Sequence, residues 1–242
     1  MLIDDGLISM PMIRPVEATE QLEAQGCYHY YRNDEKMPVL EPWTLHALAD
    51  GRRVMRCCRD ASSYGNQILV HSIQSGNVIS RFELQWNKVG GDKPQRIFAD
   101  YRFSDNSLEV TRTAVDGEVK ITHQDLDPGC VISPLMRIYS GAVTQQLLKA
   151  GKSQVLVPWI RDPDDSSRLL EPLLSEREAY FQAEEIITVA GKDYQSRRYE
   201  YFGGEYHPGT LFWLDEYDVL LRYRWQQDEN TVWEKNLEDY RR

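Results

Sequence analysis

The 242 residues carry 28 Lys and Arg against 38 Asp and Glu, a formal charge of −10, with 41% hydrophobic and 27% charged residues. This is ordinary globular composition with enough chain for a sizeable core. The acidic balance argues against a nucleic-acid backbone or an anionic membrane surface as partner, since both call for a basic face.

Residues 1–20 carry Asp4 and Asp5 and no basic start followed by an apolar run, so they are expected to be an N-terminal extension and not a secretory signal. No stretch approaches the ~20 apolar residues that span a bilayer. The expectation is a cytoplasmic protein with no membrane insertion, folded as a single domain over residues 21–242. The four cysteines (Cys27, Cys57, Cys58, Cys130) and five histidines (His29, His46, His71, His123, His207) show no zinc-type spacing, so reduced, mostly buried thiols and no metal site are expected. No dinucleotide, Walker or nucleophile-elbow motif occurs, so no cofactor is expected.

Along the chain, period-2 alternation recurs between turn signals. Val78 to Trp86, Ile97 to Phe103 and Leu221 to Trp225 each place apolar residues on one face and polar ones on the other. Asp50-Gly51 and Asp116-Gly117 read as two-residue hairpin turns, and Asp105-Asn106 reads the same way. About a dozen strands at short spacing predict an all-β antiparallel meander forming a lipocalin-like barrel, open or closed. One segment breaks the pattern. Leu135, Ile138, Tyr139, Ala142 and Val143 form a helical stripe, with Ser133 as N-cap, Pro134 at the first position and Gly151 past the end. An amphipathic helix near 133–150 is expected, packed on the open side of the sheet. The polar stretch from Arg161 to Glu176 is expected to be a surface loop, serving as a lid.

From Val131 onwards, Ser133 to Tyr139, Gly191 to Tyr194 before a strand, and Leu211 to Asp215 before a final strand pair resemble the DUF3108-like families. The resemblance spans roughly the C-terminal half and is one of element order. It implies a lipocalin-like or lipoprotein-carrier-like curved sheet, and no catalytic residue.

Hairpin registers point to a site. With two-residue turns, Arg112 and His123 share an apolar face with Ala99, Tyr101 and Val110. Likewise Arg56 lies beside Trp43, and His71 lies on the face of Leu69 and Ile73. A guanidinium in an apolar interior needs a partner, so such a face either holds an ion pair or lines a ligand cavity. The expected function is binding of an apolar or aromatic small molecule inside the barrel, with transformation by proton transfer (isomerase, lyase, hydratase or cyclase type) as an extension. His123 would be the acid/base, Arg112 the oxyanion stabiliser and Tyr101 a proton donor. Arg56, His71, Trp43, Tyr223 and Trp225 would touch the ligand. The alternatives are structural ion pairs for Arg112 and Arg56 and core packing for Tyr101, Tyr223 and Trp225, in a protein-interaction or chaperone-like module. A chromophore lyase of the bilin type ranks below both.

Overall fold

The computed structural model describes residues 8–90, 95–162 and 165–242. Among them, fifteen strands form one curved sheet that does not close on itself. The N-terminal half contributes β1 (Gln21–Arg32), β2 (Glu35–Ala47), β3 (Arg53–Ala61), β4 (Asn66–Ser75), β5 (Val78–Lys88), β6 (Gln95–Ser104), β7 (Ser107–Thr113) and β8 (Val119–Asp125). After β9 (Val131–Ile132) comes the helix α1 (Ser140–Ala150), followed by β10 (Ser153–Pro158), β11 (Pro172–Val189), β12 (Lys192–Phe202), β13 (Leu211–Leu214), β14 (Leu220–Asp228) and β15 (Thr231–Arg241). Strand order follows chain order, except that β1 lies between β2 and β15. Every pair is antiparallel but one: β9 and β10 run parallel, joined across α1.

Alternation sorts the side chains. One inward row crosses the N-terminal half through directly opposed residues: Gly26, Trp43, Cys57, Val70, Leu84, Ala99, Arg112 and Lys120. Most of these are buried, as are the inward Phe82, Ile97, Tyr101, Leu108 and Val110 beside them. All four cysteines are free thiols, three buried and Cys130 half-buried.

Two hairpins depart from the expected register for one physical reason. Leu48 N–H bonds to Arg52 O, and Ala114 N–H to Glu118 O. The loops are therefore three residues long, ending in Gly51 (φ +82°) and Gly117 (φ +88°), the left-handed position such loops demand. The extra residue slips each register by one, which turns a strand over. Arg112 consequently opposes Lys120, and His123 opposes Glu109 on the outer face. Val119 and Ile121 turn outward with it and are exposed. In the first hairpin Arg56 opposes Thr44, whereas Trp43 opposes Cys57. Arg56 thus lies outside the curve and Trp43 inside. The Asp105-Asn106 turn keeps its expected register, with Tyr101 opposite Val110 and Ala99 opposite Arg112.

Helix α1 is present but begins later than its stripe implies. Ser133 N–H still bonds to Leu156 O in the sheet, and Leu135 takes φ +70°, so neither Ser133 nor Pro134 caps the helix. Helical geometry starts as a 3-10 turn at Arg137–Tyr139 and continues as Ser140–Ala150, with Val143 and Leu147 buried. The expected surface loop is also corrected. Its last part is already strand β11, and Leu169 and Leu170 are fully buried inside the curve. Residues 163 and 164 of that loop lie outside the described residues.

Residues 8–20 cross the outer face and bury charges there. Arg56 makes a two-pronged pair with Glu20 at 2.6 and 2.7 Å and donates to the carbonyls of Arg14 and Pro15. Glu83 accepts both prongs of Arg14 at 2.5 Å, with His71 Nδ1 3.3 Å away and Arg81 at 2.8 Å. Burial acts to raise the Glu83 pKa, but the hydrogen bonds from Arg14 and His71 and the charges of Arg81 and Arg14 prevail and hold it down at about 2. A carboxyl depressed from 4.5 in the unfolded chain adds stability above that pH, and the contribution fades as pH falls toward 2. Glu83→Gln should therefore cost about 3 kcal/mol at pH 7. In urea melts at stepped pH, the gap to wild type should shrink between pH 4.5 and 2; a constant gap would contradict this account.

Candidate functional site

The sequence-predicted trio is only partly assembled. Tyr101 and Arg112 do share the interior, and both are tied to the loop after β10. Tyr101 donates to Leu170 O at 2.6 Å, and Arg112 donates from Nε to Leu169 O at 2.7 Å and from Nη2 to Ser166 O. Leu169 and Leu170 fill the space these side chains would offer a ligand. His123 is absent from the group: its side chain is 72% exposed, 3.9 Å from Glu109 on the outer face. Arg56 and His71 also face outward, under residues 8–20. Trp43 is buried inside against Gly26 and 6.0 Å from the Tyr240 ring. Trp225 is half-buried opposite Trp233. Tyr223 alone among the expected ligand contacts stands in a charged interior cluster.

That cluster is built from both halves of the sheet. Glu41 lies between Val39 and Trp43 on the inward side of β2 and is fully buried. It accepts the Tyr30 hydroxyl at 2.5 Å and the backbone N–H of Arg137, and Arg59 Nε stands 3.5 Å away. A carboxylate receiving the first free N–H of a helical turn is favourably placed. Lys235 lies on the inward side of β15 between Trp233 and Leu237, and opposes both Tyr30 and Tyr223. Its ammonium sits 4.1 Å from the Tyr223 ring and 4.9 Å from the Tyr30 ring. Burial pushes the Lys235 pKa well down, and the charges of Arg137 and Arg59 add to this against the opposing pull of Glu41.

Arg137 lies over the Tyr223 ring at 4.7 Å and donates to the Tyr206 hydroxyl at 3.0 Å. Arg177, 5% exposed, stacks on Tyr206 at 5.0 Å and reaches Glu205 at 3.4 Å. Gly203 makes this approach possible: with φ +96°, a Cβ there would stand 2.1 Å from Glu176 O. The turn it opens delivers Glu205 and Tyr206 onto Arg177. Burial pushes the Tyr201 hydroxyl beside Arg177 up to about 12.

Arg59, Arg137 and Arg177 converge on a cavity of about 90 Å³, walled also by Leu135, Trp159 and Tyr206. The Nε–H groups of Arg137 and Arg177 are buried without a hydrogen-bond acceptor, while that of Arg59 faces Glu41 at 3.5 Å. Buried N–H edges without an acceptor are costly. Among the described residues, no group of three or more His, Cys, Asp or Glu is placed to hold a metal. A larger open groove of about 680 Å³ lies at another part of the sheet, between Tyr194, Arg197, Tyr217 and Tyr240, but its charges are mixed.

Sequence reasoning missed Glu41, Arg59, Arg137, Arg177 and Lys235. The signal was present for Glu41 and Lys235, each a charged residue at an inward position of an apolar alternation. For Arg59 the slipped hairpin hid it; Arg137 comes from the turn before α1, and Arg177 from β11 just past the stretch read as a loop.

The fold has a solved counterpart. A crystal structure of a β-barrel-like protein of Domain of Unknown Function DUF1849 from Brucella abortus matches 93% of this chain and 99% of its own, with a TM-score of 0.56 and 8% identity. That likeness shows the fold alone. A DUF1329 family protein from Desulfovibrio piger, aligned over 93% of this chain and 86% of that one at 9% identity, has a TM-score of 0.17 and bears no weight. No family model and no curated protein matches the chain. No helix among the described residues is long and apolar enough to cross a membrane.

The two ends of the interior separate by experiment. Arg112→Met removes both ties to the loop carbonyls, so amide exchange at Leu169 to Glu171 should accelerate at least tenfold, at a stability cost of about 1–3 kcal/mol. Exchange unchanged at these residues would show that Arg112 does not hold the loop.

Proposed function

We propose that this protein binds a small molecule with an aromatic or apolar body inside its curved sheet, at the cavity between Trp159 and the arginine cluster. The observation that carries the reading is a concave, largely buried site that combines an aromatic and aliphatic wall with a few convergent polar groups, the usual make-up of a small-molecule site. The carrier-like curved sheet of the DUF3108-like families, resembled by the C-terminal half, supports a binding role for the fold. Arg168 stacks on Trp159 at 4.7 Å, which fixes the indole at the cavity wall.

Binding without turnover is the better reading. Proton-transfer chemistry by His123, Arg112 and Tyr101 requires the histidine to reach the other two, and it lies on the opposite face. The site moves from that trio to the segment between Leu135 and Tyr206, with Tyr223 kept as a contributor through its contact with Arg137.

Native mass spectrometry of gently purified protein should show a non-covalent adduct that is lost on denaturation. Trp159→Ala should lose the adduct, while Arg112→Met, at the filled end of the interior, should retain it. An adduct indifferent to Trp159→Ala would remove the cavity from consideration. A bare mass with a co-purifying protein would favour the interaction module instead.

A further inference from the structure

The cavity has an electrostatic character opposite to that of the chain. Its wall holds four guanidiniums, Arg59, Arg137, Arg161 and Arg177, against the carboxylate of Glu205 and that of Glu41 paired with Arg59, a local excess of two positive charges in a protein of net charge −10. The one fully buried carboxylate nearby, Glu41, is already engaged by Tyr30, by the Arg137 backbone and by Arg59 at 3.5 Å. Glu205 is about half exposed and shared between Arg161 and Arg177. The protein thus supplies too few acceptors for its own donors. The buried Nε–H groups of Arg137 and Arg177 remain, and their guanidinium planes are held by stacking on Tyr223 and Tyr206. Burial is the main cause of the depressed Lys235 pKa, and the nearby charges of Arg137 and Arg59 add to it.

We propose that the arginine-lined cavity receives the oxyanion head, carboxylate or phosphate, of the bound molecule, with its organic body against Trp159. This rests on the interior-binding reading above and names the chemistry that site selects. Arginine forks present paired N–H donors that match the oxygens of either group, and buried charge-assisted bonds are the strong ones. A volume of about 90 Å³ suits a head group and is small for a whole apolar ligand. An oxyanion there would accept the orphaned Nε–H groups and offset the local charge excess together.

Titration calorimetry on the full chain with phenyl phosphate, benzoate and neutral benzyl alcohol tests this. One of the two anions should bind at least tenfold tighter than the alcohol, weaken as salt is raised, and lose about tenfold or more in Arg177→Met. Which anion binds identifies the head group. Should Arg177→Met fail to fold, Arg177→Lys keeps the charge but not the fork and should still weaken the anion several-fold. Equal or better binding of benzyl alcohol, abolished by Trp159→Ala, would leave the interior-binding reading standing and overturn the anionic head. Absence of binding by all three, with no adduct in native mass spectrometry, would overturn both.

Discussion

Glu41 is the constraint around which the interior is arranged. A carboxylate with no solvent exposure in the middle of an inward row must be paired, because its desolvation would otherwise cost several kcal/mol. Its partners come from β1, β3 and the start of the helical segment: Tyr30, Arg59 and the Arg137 backbone. Satisfying that one charge therefore joins the N-terminal half to the segment that carries α1. It also brings Arg59 and Arg137 to the same place. Once two cations stand there, a third from β11 and a buried lysine from β15 complete an interior that is positive as well as aromatic.

The sheet carries two separate polar interiors, one on each side. On the concave side the donors outnumber the acceptors. On the convex side, beneath residues 8–20, Arg56 meets Glu20, and Glu83 meets Arg14, His71 and Arg81. In that outer network each buried carboxylate meets at least one guanidinium, as in a structural ion-pair network.

Much of the architecture was legible because alternation is a strong signal where one face is buried. The strands from Val78 to Trp86 and from Ile97 to Phe103, and the shared face of Tyr101 and Arg112, follow directly from it. The failures trace to single residues in turns. An Asp-Gly pair is compatible with a two- or a three-residue loop, and the hydrogen bonds from Leu48 and Ala114 choose the longer one. Each choice inverted a strand, carrying His123 and Arg56 to the outside. Helix onset was misjudged because Glu41, distant in sequence, supplies the acceptor that a local Ser133 was expected to provide. Buried Leu169 and Leu170 were hidden inside a stretch whose composition is that of a surface loop.

The position of β1 between β2 and β15 has a temporal meaning. Each other neighbouring pair joins strands close in the chain, so β1 to β8 and β10 to β14 can zip as local meanders while the polypeptide is still being made. The inner edge of β1 has no partner until β15, the last of the fifteen strands, has been synthesised. Until then, Gln25 to Arg32 would present an unsatisfied edge rich in tyrosine, the kind of surface that invites pairing with another chain. Synthesis of β15 is then the step at which Lys235 joins Tyr30 and Tyr223 and the two halves become one sheet.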